Sequence, residues 1–162
     1  MERRLDPRAM GDHIDRLYRA AWAFCGSRED AEDLVQETLA RVLAKPRFLR
    51  REDDLAYLLR AMRNVFLTQR RTESRRPRTV PLPEEGLLAD RRAGGDPEAV
   101  YATREVYAAV AALPGEFRDV LVAVDVAGLS YKEAAKALGI REGTVMSRLH
   151  RGRGRVVRAL DG

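Results

Sequence analysis

Thr144, Ser147, Arg148, His150, Arg151 and Arg155 crowd into the last fifth of the sequence. At about 100° per residue they cover one broad arc of a helix. Val145, Leu149, Gly152 and Val156 fall on the opposite side and form a stripe suited to burial. Hydroxyls, an imidazole and guanidinium forks are the groups that meet base edges and phosphates, and arginine pairs bidentately with either guanine or phosphate. On such a helix the N-terminal residues read bases, while flanking arginines and the helix start hold the backbone. The plain alternative is a basic helix facing solvent.

Two more constellations stand near the N-terminus. Arg60, Asn64, Thr68 and Arg71 project away from a stripe of Leu58, Met62, Val65 and Phe66, with Arg63 and Arg70 on one flank. Asp30, Asp33, Gln36 and Glu37 lie opposite a stripe of Ala31, Leu34, Val35, Thr38, Leu39 and Val42. Charge is segregated accordingly: residues 29–37 hold five acids and no base, residues 41–78 are net +8, and residues 141–158 are net +5. Because the whole chain is only +5, the remainder is acidic. The pattern predicts two polyanion-facing surfaces and one acidic patch with a different partner. Arginine supplies 27 of the 30 basic residues. A GC-rich genome gives the same bias, so position rather than composition carries the reading.

The remaining chemistry is sparse. Cys25 is the only cysteine, and His13 and His150 are the only histidines, so neither an intramolecular disulfide nor a cysteine zinc site can be built. Phosphate-loop, zinc-protease and nucleophile-elbow motifs are missing from the sequence. The expectation is a protein that is not an enzyme, with no cofactor, no metal and no small-molecule substrate. No apolar run approaches the roughly 18 residues that span a bilayer, and the first residues offer no signal-peptide core. A cytoplasmic protein without membrane insertion is expected.

The elements that must position these residues are helices. Ile14, Leu17, Tyr18, Ala21, Trp22 and Cys25 recur at i, i+3, i+4, i+7 spacing, and the two stripes above do the same. No useful β-alternation appears, so no sheet is expected. Residues 72–96 carry three of the seven prolines and three glycines, with Leu82, Leu87 and Leu88 as their few apolar residues. They read as a linker. Asp96-Pro97 then opens a second helical set as N-cap and first-turn proline. In that set Ala99, Thr103, Val106, Tyr107 and Val110 share a face, and Phe117, Val120, Leu121 and Val124 share another. Ser130 with Glu133 forms a capping box, and Gly139 supplies a left-handed stop before Ile140. This is helix-turn-helix spacing. The fold class is all-α: two small helical domains, 10–73 and 97–160, joined by an extended linker over 74–96.

Asp30–Leu43 (DAEDLVQETLARVL), Leu55–Arg71 (LAYLLRAMRNVFLTQRR) and the helix-turn-helix together resemble bacterial RNA polymerase sigma factors, in the extracytoplasmic-function group of the sigma-70 family. The resemblance covers about residues 10 to 160 except the linker. It implies a transcription initiation factor whose region 2 and region 4 bind core RNA polymerase and promoter DNA, recognising −10 and −35 elements and assisting melting. It implies core-polymerase docking by Asp30, Asp33, Gln36 and Glu37. It implies −10 contacts from the third helix and the preceding loop: Phe48, Arg60, Arg63, Asn64, Thr68 and Arg71. It places −35 contacts at Thr144, Ser147, Arg148, His150, Arg151 and Arg155, and an anti-sigma factor as a further partner. Tyr57, Leu39 and Met146 depart from the family's usual Trp, aromatic and basic residues. Phe48 reads equally as a stacking platform for a flipped base, worth about 1–3 kcal/mol, or as an anchor for its loop.

A linker of about 25 residues spans roughly 25–30 Å as a relaxed coil and about 85 Å when extended. Promoter elements one and a half to two duplex turns apart lie roughly 50–70 Å from each other. The linker must therefore stretch on the promoter, and off it the domains are free to collapse together. The main rival is a stand-alone helix-turn-helix regulator, which leaves the acidic Asp30–Glu37 face without a task. A purely protein-binding helical adaptor predicts no salt-sensitive DNA binding.

Overall fold

The computed structural model describes residues 2–4, 10–44, 48–50, 54–74 and 97–162, with backbone alone for 2–4, 12, 48–50 and 74. Of the expected linker, residues 72–74 continue a helix, and 75–96, with Leu82, Leu87, Leu88 and Asp96, lie outside the described residues.

A turn of 3-10 helix at Gly11–His13 leads into α1 (Ile14–Cys25). This helix stops at Gly26, whose φ of 75° is open to glycine at little cost and whose N–H donates to the Trp22 carbonyl at 2.7 Å. Ser27 Oγ accepts from the Asp30 amide at 3.3 Å and starts α2 (Arg28–Ala44). α3 (Asp54–Ser74) completes a three-helix bundle. Leu17, Phe24, Leu34, Leu58, Leu59 and Met62 are fully buried in it, and Phe24 stacks on Phe66 with ring centroids 5.2 Å apart. Most residues of the expected apolar stripes are buried; Tyr18, Cys25 and Leu39 are half-buried, Ile14 is exposed, and buried Phe24 lay on no expected stripe.

α4 (Pro97–Ala111) begins the second helical set. α5 (Gly115–Leu121) runs on into a π-helical turn at Val122–Val126. α6 (Tyr131–Leu138) and α7 (Glu142–Asp161) form the helix-turn-helix. Val120, Val122, Val145 and Leu149 are its buried centre. A Cβ on Gly152 would sit 3.1 Å from Leu121 Cδ1 and 3.3 Å from Phe117 Cβ, so glycine is what lets α7 cross α5 this closely.

Two sequence expectations need correction. Glu2–Arg4 and Phe48–Arg50 form antiparallel strands β1 and β2 in register Arg3↔Leu49. Three residues are too few to show the alternation that marks a strand in sequence. On α4, Ala99, Thr103 and Val106 are exposed; Val110 is buried and Tyr107 half-buried, because the helix meets α1 and α7 along a narrow strip. Buried residues from the two helical sets form one contiguous cluster. α1 packs on α4 and on the π turn, and α3 packs on α6. Trp22 meets Tyr107 edge-on at 4.6 Å, and a Cβ on Gly26 would lie 3.2 Å from Ala111 Cβ. No helix among the described residues is long and apolar enough to cross a membrane.

Candidate nucleic-acid and polymerase interfaces

The helix-turn-helix is locked by its own termini. Ser130 Oγ accepts from the Glu133 amide at 3.1 Å, and Glu133 Oε1 accepts from the Ser130 amide at 3.0 Å. The amides of Ser130 and Glu133 at the start of α6 are thereby satisfied reciprocally. Gly139, at φ 68°, turns the chain left-handed, and the Ile140 N–H donates to the Ala135 carbonyl at 3.0 Å. α7 then starts from Arg141 in extended backbone, with no side-chain cap on its first amides. Uncapped first amides are what an anion-holding helix start requires.

Val145, Leu149 and Gly152 turn inward, and Ser147, His150 and Arg151 are exposed together on the far side of α7. Thr144 is half-buried; its carbonyl accepts the Ser147 hydroxyl at 3.2 Å, which leaves the Ser147 oxygen as an acceptor toward the outside. The other two predicted residues stand apart from this face. Arg148 is half-buried and lines a cavity of about 270 Å³ with Arg63 and Leu67 of α3. Arg155 lies over the Phe117 ring at 4.6 Å. Met146 is 55 % exposed beside Ser147, an apolar side chain that could meet a thymine methyl. Arg153, on the same flank, is held by Asp125.

On α3, Arg60, Asn64, Thr68 and Arg71 share an exposed stripe. The Thr68 hydroxyl donates to the Asn64 carbonyl at 2.9 Å. Arg63 leaves this set: its Nε donates to Asp119 Oδ2 at 2.7 Å. Phe48 belongs to β2 by its backbone, and its side chain lies outside the described residues, as do Lys45–Arg47 and Arg51–Asp53. On α2, Asp30, Asp33 and Gln36 are exposed. Glu37 is half-buried and pairs with Arg41 one turn on, at 2.8 Å. A groove between this face and the end of α3 is lined by Asp30, Asp33, Phe66, Arg70 and the Cys25 thiol. Burial pushes that thiol up to about 12, helped by the negative charges of Asp30 and Glu73. It is an inert core thiol at neutral pH.

Asp119 and Arg118 were not singled out from sequence. Asp119 is 6 % exposed and Arg118 3 % exposed. An adjacent Arg–Asp pair inside the apolar run Phe117–Val124 was the available signal, because charges within a buried stripe persist only when paired. Among the described residues no group of acids, histidines and cysteine is arranged to hold a metal.

Comparison with known proteins gives this geometry a context. Residues 10–76 match Sigma-70 region 2, and residues 103–156 match Sigma-70 region 4. The chain is 35 % identical over 152 residues to the ECF RNA polymerase sigma factor SigC of Mycobacterium tuberculosis, covering 90 % of this chain and 80 % of that one. The chain belongs to the extracytoplasmic-function group of the sigma-70 family. Sigma factors of this family are not enzymes. This sigma factor is also 40 % identical over 147 residues to SigE of Mycolicibacterium smegmatis, covering 87 % of itself and 56 % of that relative's length. Among solved structures it resembles the sigma factor RpoE of Bartonella quintana, crystallised with the anti-sigma factor NepR. The TM-score is 0.68 at 24 % identity, over 95 % of each chain. It also resembles CnrH in complex with the cytosolic domain of CnrY, with a TM-score of 0.63 at 23 % identity over 95 % of this chain and 86 % of that one. At those identities the likeness is one of fold.

Proposed function

We propose that this sigma factor binds core RNA polymerase and directs it to promoters, with residues 10–73 and 97–160 as working domains and 74–96 as the tether between them. The exposed acids Asp30 and Asp33, with Gln36 and Glu37, dock on the polymerase. Ser147, His150 and Arg151 read the −35 element, and Thr144, Arg148 and Arg155 assist in positioning it. Arg60, Arg63, Asn64, Thr68, Arg71 and Phe48 engage the −10 element as its bases leave the stack. Melting is driven by binding energy, and the polymerase performs the chemistry. The chain acts in the cytoplasm. An anti-sigma factor restrains it, a reading supported by the anti-sigma complexes in which two similar folds were solved.

The observation that carries this reading is the pairing, on one sigma-family chain, of an exposed acidic face on α2 with an exposed polar, arginine-edged face on α7. A lone helix-turn-helix regulator has use for the second only. The test is run-off transcription with added core polymerase: the expected outcome is discrete transcripts that appear only with this chain present. Tight operator binding without polymerase, and no transcript with it, would favour the lone regulator.

A further inference from the structure

Met146 is the one large apolar side chain exposed on the first turns of α7. Apolar residues scattered singly are ordinary on a protein surface. Two features of its neighbourhood set this one apart. The first is the turn before it. Long side chains on a helix lean toward its N-terminus and cover the turn preceding their own Cα. For Met146 that turn holds Glu142 and Gly143, the first two residues of α7. Gly143 is exposed, and a Cβ placed on it would meet nothing within 4 Å. The thioether chain therefore has open space beside it at the leading end of the helix, the end that meets base edges in a major groove. A flexible, polarisable side chain adapts well to such a surface.

The second feature is charge. Arg153 falls about 20° from Met146 around the helix, two turns on. Its guanidinium is already committed to Asp125, which accepts from Nε at 2.9 Å and from Nη2 at 2.7 Å. Glu142 adds an exposed carboxylate one turn before Met146. This edge of α7 thus offers phosphate no uncompensated guanidinium, whereas Arg148 and Arg155 stand on the opposite flank. The edge that cannot grip the backbone carries the apolar tip. In the major groove the apolar mark of a base pair is the C5-methyl group of thymine. Cytosine presents the same group once it is methylated at C5.

We infer that Met146, leaning back over Gly143, is a specificity-determining residue that reads a 5-methylpyrimidine in the −35 element: thymine, or 5-methylcytosine in its place. The base pair it reads is not the one met by Arg151, which lies about 140° away around the helix. A cation at position 146 would seek guanine or phosphate instead, so the methionine changes which promoters are chosen. The inference rests on the promoter-directing function proposed above.

The test begins with holoenzyme assembled from core polymerase and the full-length chain, used to select a −35 sequence from randomised duplex. Each thymine of that element is then replaced by uracil, which removes one methyl group and keeps every hydrogen-bonding group. Burial of one methyl is worth about fourfold in affinity, so binding should fall about fourfold at one position. At that position a 5-methylcytosine–guanine pair should bind about fourfold better than cytosine–guanine. Met146→Ala should bind the thymine and uracil duplexes alike, while Met146→Leu and Arg151→Ala should each keep the preference. Any effect of uracil on duplex shape is common to all variants, so the difference between wild type and Met146→Ala isolates the contact. A selected element with no uracil-sensitive position, or a penalty that persists in Met146→Ala, overturns the methyl contact. Loss of core-polymerase capture by Met146→Ala without DNA would make the residue a protein contact and overturns it equally. Failure of the holoenzyme to select any sequence would instead overturn the promoter-directing function on which the contact stands.

Discussion

Arg153 grips Asp125 with two prongs. Its Nε donates to one carboxylate oxygen at 2.9 Å and its Nη2 to the other at 2.7 Å, joining α7 to the π turn 28 residues earlier. The hydrogen bonds it donates to Asp125 push the guanidinium pKa still higher, so this arginine is charged at every accessible pH. Both side chains are well exposed, at 50 % and 36 %. An exposed pair of this kind is worth about 0–1 kcal/mol after screening. Asp125→Ala is therefore expected to change thermal stability only slightly. Its larger effect should be on DNA: the freed Arg153 becomes available to a phosphate, and each added phosphate contact steepens the slope of log K against log salt by about 0.9. Titrations of nonspecific duplex at several salt concentrations measure that slope, and an unchanged value would show that Arg153 faces no phosphate even when released.

Gly152 tests how tightly the helix-turn-helix is packed. With Leu121 Cδ1 and Phe117 Cβ at 3.1 and 3.3 Å from the position of a Cβ, a branched side chain there has nowhere to go. Overpacking of this kind costs about 1–3 kcal/mol. Gly152→Val should lower the unfolding free energy from chemical denaturation by that amount and weaken −35 binding, because α7 must tilt. Gly152→Ala is the informative contrast: the clash is smaller, and alanine regains about 1 kcal/mol of helix propensity. A valine variant as stable as the wild type would mean that α5 and α7 do not cross this closely in solution.

Cys25 gives a pH-dependent readout of the N-terminal bundle. Its thiol rises from 9.0 to about 12, first through burial and then through Asp30 and Glu73. A group whose folded pKa is raised contributes stability that is complete below the unfolded value. That stability fades as pH climbs from 9.0 through about 12. At pH 8 the folded thiolate fraction is about 1000-fold below that of an unfolded chain. Alkylation by iodoacetamide should be slow for folded protein and accelerate sharply across the urea transition. Fast labelling under native conditions would contradict the burial.

Much of this was legible in the sequence because it is local. The capping box of Ser130 and Glu133, the left-handed Gly139 and the inward stripe of Val145 and Leu149 depend on residues a few positions apart, and all are present as read. The exposure of Asp30, Asp33, Ser147, His150 and Arg151 follows from helical periodicity in the same way. Contacts between distant residues were not legible. Arg63 and Asp119 are 56 residues apart, and nothing local to either states that they meet. Periodicity places Arg63 on a flank but does not say what the flank touches. For the same reason Arg148 and Arg155 read as free DNA ligands, whereas one lines a cavity shared with α3 and the other lies over Phe117. The strand pair at Arg3 and Leu49 escaped because its register is also set by distant residues.

Asp33 separates the polymerase face from the fold. It is exposed on α2 and points away from the buried Leu34 and Val35. Surface substitutions of this type stay within about 0.5 kcal/mol in stability. Asp33→Arg should therefore leave the helical circular dichroism and melting curve unchanged while abolishing capture by core polymerase, since it reverses a charge at the centre of the proposed docking face. Normal holoenzyme formation by the variant would exclude this face.

Arg151 decides whether α7 reads sequence or merely grips the backbone. It is exposed beside Ser147 and His150, on the side of the helix opposite Val145 and Leu149, with no ion pair among the described residues drawing it aside as Asp125 draws Arg153. An arginine so placed can fork onto guanine in the major groove. Losing such a contact costs about 1–3 kcal/mol on the matching base pair alone. Arg155 supplies the internal comparison: with its guanidinium over Phe117 at the groove's margin, it is suited to phosphate rather than base. Arg151→Ala should weaken binding to a cognate −35 duplex and flatten the preference at one base pair. Arg155→Ala should weaken all duplexes alike and reduce the salt slope by about one. Binding measured against a panel of single-base variants distinguishes the two patterns. A uniform loss for Arg151→Ala would make it a second backbone contact and shift the burden of base reading onto Ser147 and His150.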